Sequence, residues 1–129
     1  MCWVPRRRQR DRENAVPRYQ YVVLTNPVDG REGEFHRWYT ETHLHDALRV
    51  PGFSSAQLFK IADGAQRAEP PYPWTYCALY DLETDDLQSV VDALAARYNT
   101  ADMVISTALH PQRLGLIFEA VTGRLEAAV

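Results

Sequence analysis

The patterned part of the chain opens with Tyr19-Gln20-Tyr21-Val22-Val23-Leu24-Thr25, a run of aromatic and β-branched residues that predicts a strand. Asn26-Pro27-Val28-Asp29-Gly30 follows with turn chemistry and closes it. From about Arg31 the apolar period changes. Phe35, Trp38, Tyr39 and Thr42 recur at helical spacing, and Arg31, Glu32, Glu34 and Arg37 supply a solvated remainder. Val50-Pro51-Gly52 breaks this helix. Residues 53–61 then alternate as a second strand. Phe53, Ser55, Gln57 and Phe59 fall on one side, and Ser54, Ala56, Leu58 and Lys60 on the other. A polar loop runs from Asp63-Gly64 to Pro70-Pro71-Tyr72-Pro73. Residues 74–82 form a third strand, with Trp74, Tyr76, Ala78 and Tyr80 on one face and Thr75, Cys77 and Leu79 on the other. Thr84 reads as the N-cap of a second helix whose buried stripe is Leu87, Val90, Val91, Leu94 and Ala95. Residues 99–111 show no regular pattern, and Leu114-Gly115-Leu116-Ile117-Phe118 makes a last strand.

Strand, helix, strand, strand, helix, strand is the ferredoxin-like βαββαβ order, an α+β fold with one antiparallel four-stranded sheet. Helices gathered on one sheet face leave the other needing cover. A second copy of the same sheet is the simplest cover, and two-fold pairing is its commonest form. The expected molecule is therefore a homodimeric α+β barrel. Its domain spans residues 18–122, between an arginine-rich tail at 1–17 and a short C-terminal tail at 123–129.

Composition changes this picture little. The chain of 129 residues suits one domain, and its net charge of −3 gives no argument for nucleic acid. No apolar run approaches membrane-spanning length, so no membrane partner is expected. The tail crowds Arg6, Arg7, Arg8, Arg10 and Arg12 together with few apolar groups, and it cannot bury enough surface to offset its ordering entropy. Cys2 and Cys77 lie far apart, which argues against a disulfide framework and fits a reducing cytoplasm. Cys77 is expected to act as a small strand hydrophobe.

The segment Phe35-x-x-Trp38-Tyr39-x-x-x-His43-Leu44-x-Asp46, followed by Val50-Pro51-Gly52-Phe53, resembles the EthD-like branch of the dimeric α+β barrel superfamily. The third strand, Trp74-Thr75-Tyr76-Cys77-Ala78-Leu79-Tyr80, resembles that branch as well. The likeness covers residues 19–118. It implies homodimers with a cavity between each sheet and its helices. The superfamily includes polyketide cyclases, cofactor-free monooxygenases, muconolactone isomerases and haem-binding members. His45 departs from the pattern, standing where the branch commonly has proline.

Thr42-His43-Leu44-His45-Asp46 is the sharpest local constellation. It invites comparison with the metal-binding run of the metallo-β-lactamase fold, but no further histidine follows Asp46. On a helix, residues two apart point in nearly opposite directions, so His43 and His45 cannot share an ion there, and no metal is expected. His43 alone is either a helix-end histidine with one satisfied hydrogen bond or a general acid/base in an aromatic cavity. Asp46, three residues on, orients its ring if the helix continues. Trp38, Tyr39, Trp74, Tyr76 and Tyr80 are numerous for so small a domain, and packing accounts for most of them. As cavity walls they suit a flat, hydrophobic, oxygenated ligand, with the mid-strand Tyr76 as polar handle. His110, before Pro111, lies in a loop positioned to cover such a pocket.

These residues support three functional expectations. The first is a small cofactor-independent enzyme acting on a hydrophobic oxygenated molecule, aromatic or polyketide-like. It would abstract a proton beside a carbonyl, leading to cyclisation, isomerisation, elimination or cofactor-free oxygenation. Here His43, Tyr76 and Asp46 are the catalytic candidates, and Trp38, Tyr39, Trp74, Tyr80 and His110 contact the ligand. The second is a haem-binding barrel with His43 or His110 as axial ligand. The third is a non-catalytic ligand-binding or accessory dimer.

Overall fold

The computed structural model describes residues 16–128. The arginine-rich segment reaches into this range only at its end. The expectations for residues 1–15 lie outside it.

Four antiparallel strands form one sheet: β1 (Arg18–Thr25), β2 (Phe53–Lys60), β3 (Tyr76–Glu83) and β4 (Leu114–Glu119), in the order β2-β3-β1-β4. A first helical segment comprises α1 (Glu32–Trp38), a π-helical turn (Tyr39–His43) and α2 (Leu44–Ala47), and a second helix, α3 (Leu87–Arg97), follows β3. This α+β arrangement is compatible with the ferredoxin-like fold.

Strand alternation sorts the sheet into two faces. On the helix side, Tyr76, Ala78, Tyr80 and Leu82 of β3 are all buried, and Phe35, Trp38 and Tyr39 of the first helical segment join them in the core. Full burial of such side chains contributes roughly 1.5–3 kcal/mol each before entropy is counted. On the other side, Val22 faces Leu79 and Leu116 across the ladders, and Leu24 faces Cys77 and Leu114. Among the described residues, no helix covers that face.

Four details differ from the sequence expectation. β3 begins at Tyr76 rather than at residue 74. The Asn26 side chain binds this entry, accepting from the Thr75 amide at 2.8 Å and donating to the Pro73 carbonyl at 2.8 Å. The N-cap of α3 is Asp86, whose Oδ1 accepts from the Ser89 amide at 3.1 Å, while the Thr84 hydroxyl accepts from the Asp86 amide one step earlier. In β2, a register shift between Phe53 and Ser55 breaks simple alternation. This bulge puts Phe53 with Ala56 and Leu58 against the core and leaves Phe59 exposed.

The fourth difference is in the first helical segment. In a regular α-helix, Thr42 would share the face of Phe35, and His43 would be rotated about 80° from it. The π turn carries one extra residue, closed by the Leu44 amide donating to the Tyr39 carbonyl five residues back. The Thr40 hydroxyl donates to the His36 carbonyl at 2.8 Å, a local bond that competes with the regular ladder. Thr42 therefore turns to solvent and His43 takes the inward position.

Candidate functional site

The inward turn of His43 brings it to the wall of a cavity of about 270 Å³ between the sheet and the helices. The floor is the helix side of β1, where alternation carries Tyr21, Val23 and Thr25 to one face, together with Tyr80 of β3. Tyr39 and His43 close one end from the π turn. Leu94, Tyr98 and Met103 close another, from α3 and the segment after it. Arg113 and Gly115 complete the wall at β4. A Cβ at Gly115 would stand 2.8 Å from the Tyr21 hydroxyl oxygen, so a larger residue there would displace the Tyr21 side chain.

His43 is only 9% exposed. Its ring stacks on Trp38, with centroids 4.5 Å apart and planes at 25°, and meets Tyr39 edge-on at 5.1 Å. Trp38 is itself fixed by an Nε1–H bond to the Val104 carbonyl at 2.8 Å. The imidazole is thus held by packing, and its buried Nδ1 has no hydrogen bond among the described residues. Burial, with the Arg113 charge adding, holds its pKa down at about 4. At neutral pH this side chain is an uncharged imidazole.

The hydroxyls around it are also kept neutral. Burial pushes the Tyr39 phenol up to about 12 and raises Tyr80 well above the ordinary tyrosine value. Tyr39, Tyr80 and Thr25 lie close enough to influence one another, yet Thr25 Oγ1 is buried with no partner. Orphaned buried polar atoms are uncommon in native interiors. The residues that carry two of them, Thr25 and His43, both line this one cavity.

Of the residues singled out in the sequence, His43, Tyr39 and Tyr80 line the cavity, and Trp38 backs His43 from behind. The others lie elsewhere. Asp46 does not orient the imidazole: its Oδ1 accepts from Arg49 at 3.2 Å. Tyr76 has its ring in the core against Phe35, but its hydroxyl donates to Glu32 at 2.6 Å, away from the cavity. Burial and then the Glu32 carboxylate push this phenol up to about 12. Trp74 precedes β3 and packs beside Leu24, Phe59 and Cys77 at the uncovered sheet face. His110 is tied into its own turn, its Nδ1 accepting from the Gln112 amide at 3.0 Å. Alternation along residues 19–25 contained a signal for Tyr21 and Thr25. Nothing local marks Tyr98 or Arg113, which reach the cavity only through packing between distant segments.

The donor set fits haem poorly. His110 stands outside the cavity with Nδ1 engaged, and the cavity of about 270 Å³ at His43 suits one or two rings rather than a tetrapyrrole. Among the described residues, no group of three or more His, Cys, Asp or Glu is placed to hold a metal ion. No helix among them is long and apolar enough to cross a membrane. No family model matches this sequence, and no curated protein matches it.

Proposed function

We propose that the chain is a dimeric α+β barrel enzyme that needs no cofactor. Its cavity takes a small, largely apolar, oxygenated molecule, aromatic or polyketide-like, and His43 handles a proton next to its carbonyl. One observation carries the reading. An imidazole nine-tenths buried, with no polar partner among the described residues, stands at the wall of a cavity open at its rim, beside phenols that stay protonated. The volume is close to the small end of the usual ligand-pocket range of roughly 300–1,000 Å³, which suits one or two rings.

The chemistry follows from the environment. A buried imidazole resists protonation while its surroundings are neutral. Removing a proton from carbon places an enolate beside it, and that negative charge makes the imidazolium favourable at the moment it forms. Neutral tyrosine hydroxyls supply donors for the developing oxyanion without reorganising. The roles first assigned to Tyr76 and Asp46 pass to Tyr39 and Tyr80 as donors and to Trp38 as the positioning surface. The uncovered sheet face supports the dimer, and closing it with a second copy gives the barrel.

Exchange of α-protons tests this directly. Acetophenone and 4-acetylbenzoate are incubated with the protein in deuterated buffer and followed by NMR. Exchange above the buffer rate is expected for at least one ketone. His43→Gln should lower that rate by about two to four powers of ten while the fold persists. Binding without exchange would overturn the catalytic role and leave a ligand-binding dimer. Absence of both binding and exchange would overturn the reading of the cavity.

A further inference from the structure

Among the described residues, the walls of the cavity carry a single formal charge, Arg113, and no Asp or Glu lines it. Arg113 forms no ion pair among the described residues. Its guanidinium lies over the Tyr98 ring at 5.4 Å, a cation–π contact that fixes the group without neutralising it. Its field reaches inward: it adds to the lowering that burial imposes on His43, and it opposes part of the rise that burial gives Tyr21 and Tyr98. The residue itself is exposed, so it stands at the rim, between solvent and an interior of phenols and apolar side chains. An unpaired cation with several donors, on the rim of a pocket with no carboxylate, is built to receive negative oxygen.

We infer that the cavity selects ligands bearing an anionic oxygen, a carboxylate or an acidic enol or phenol, and that Arg113 is the residue that selects them. The anion sits at the rim on the guanidinium. The apolar body of the molecule lies inward, against Tyr80, Tyr39 and His43. This rests on the reading of the cavity as a ligand site and adds the chemical class of the ligand. It also gives the neutral imidazole a second state. A bound anion at the rim offsets the Arg113 charge that opposes protonation, so His43 becomes easier to protonate in the complex than in the free protein.

Benzoate and benzamide test the inference, because they match in shape and differ in charge. Both are titrated into the full-length protein, with binding followed by calorimetry and the His43 ring by NMR. Benzoate should bind roughly tenfold more tightly than benzamide, the usual size of one charge-assisted hydrogen bond. Added salt should shrink that preference. Arg113→Gln should remove it, and Arg113→Lys should keep part of it. The His43 titration should move to higher pH with benzoate bound and stay in place with benzamide. Equal binding of the two probes, or a preference that survives Arg113→Gln, overturns the inference and leaves the cavity reading intact. If neither probe binds at millimolar concentration while acetophenone binds at least as tightly as 4-acetylbenzoate, the inference alone falls. If nothing binds, both fall.

Discussion

At the scale of single residues, the cavity depends on atoms held without polar partners. His43 is the clearest case, since burial places its pKa at about 4 against an ordinary value of 6.5. Above pH 6.5 the ring is neutral whether the chain is folded or not, and it contributes no pH dependence. Between pH 6.5 and 4 the unfolded chain binds a proton that the folded one refuses, so stability falls as the pH drops through this window. Below pH 4 both states are protonated and the loss levels off. At about 1.4 kcal/mol per pH unit, the whole effect is on the order of 3 kcal/mol. Urea unfolding of the wild type and of His43→Gln across this range isolates the term, because the other titrating groups are common to both. The variant should lose less stability on acidification, and identical acid profiles would rule out a buried neutral imidazole.

At the scale of elements, the geometry depends on a few local departures from regular structure. The π turn rotates His43 inward, and the β2 bulge brings Phe53 against Tyr80, with ring centroids 5.5 Å apart. Between these elements the chain turns at Gly52, with φ +98°, a conformation that L side chains rarely adopt. A Cβ there would stand 2.7 Å from Cγ2 of the buried Val90 on α3. The amide of Glu83 also donates to the Gly52 carbonyl at 2.8 Å, tying the turn to the end of β3. Gly52→Ala combines backbone strain with a steric conflict and should cost about 1–3 kcal/mol. Adding Val90→Ala should relieve the conflict but leave the backbone strain. A single variant that melts with the wild type would show that this turn is not needed to hold α3 against the sheet.

At the scale of the whole molecule, the sheet face away from the helices is the main apolar surface. Leu114, Leu116 and Phe118 of β4 are 42%, 48% and 55% exposed, and Phe59 at the other edge is 42% exposed. With Val22, Leu24 and Leu79 between them, these residues form an apolar layer across all four strands. Exposed patches of this kind mark association surfaces. A stable pair of sheets buries on the order of 1,200–2,000 Å² in total. Sedimentation at micromolar concentration should find a dimer. The double variant Leu116→Arg/Phe118→Arg should give a folded monomer, because both side chains leave the helix-side core untouched. A wild type that sediments as a monomer would remove the barrel from the proposed function.

Much of this was legible in the sequence because it depends on short-range periodicity. Alternation along residues 19–25 and 76–82 and the helical spacing of Phe35, Trp38 and Tyr39 depend only on the geometry of strand and helix. So do the breaks at Asn26-Pro27 and Pro51-Gly52. These features determined the element order and the aromatic core. They also marked His43 as the chemical candidate, on residue type and on resemblance. Only the tertiary structure decided which way His43 points, since an inserted π residue changes the phase of a helix without changing its composition. It alone sent the Tyr76 hydroxyl to Glu32, Asp46 to Arg49 and Trp74 to the far face, because each partner is chosen by competition among groups that chain order does not rank. The charge of the cavity was decided in the same way. Arg113, Tyr98 and His43 are distant in sequence, and only the pairing of β4 with β1 and the packing of α3 against the sheet put one cation at the rim of a pocket that has no acid among its described lining residues.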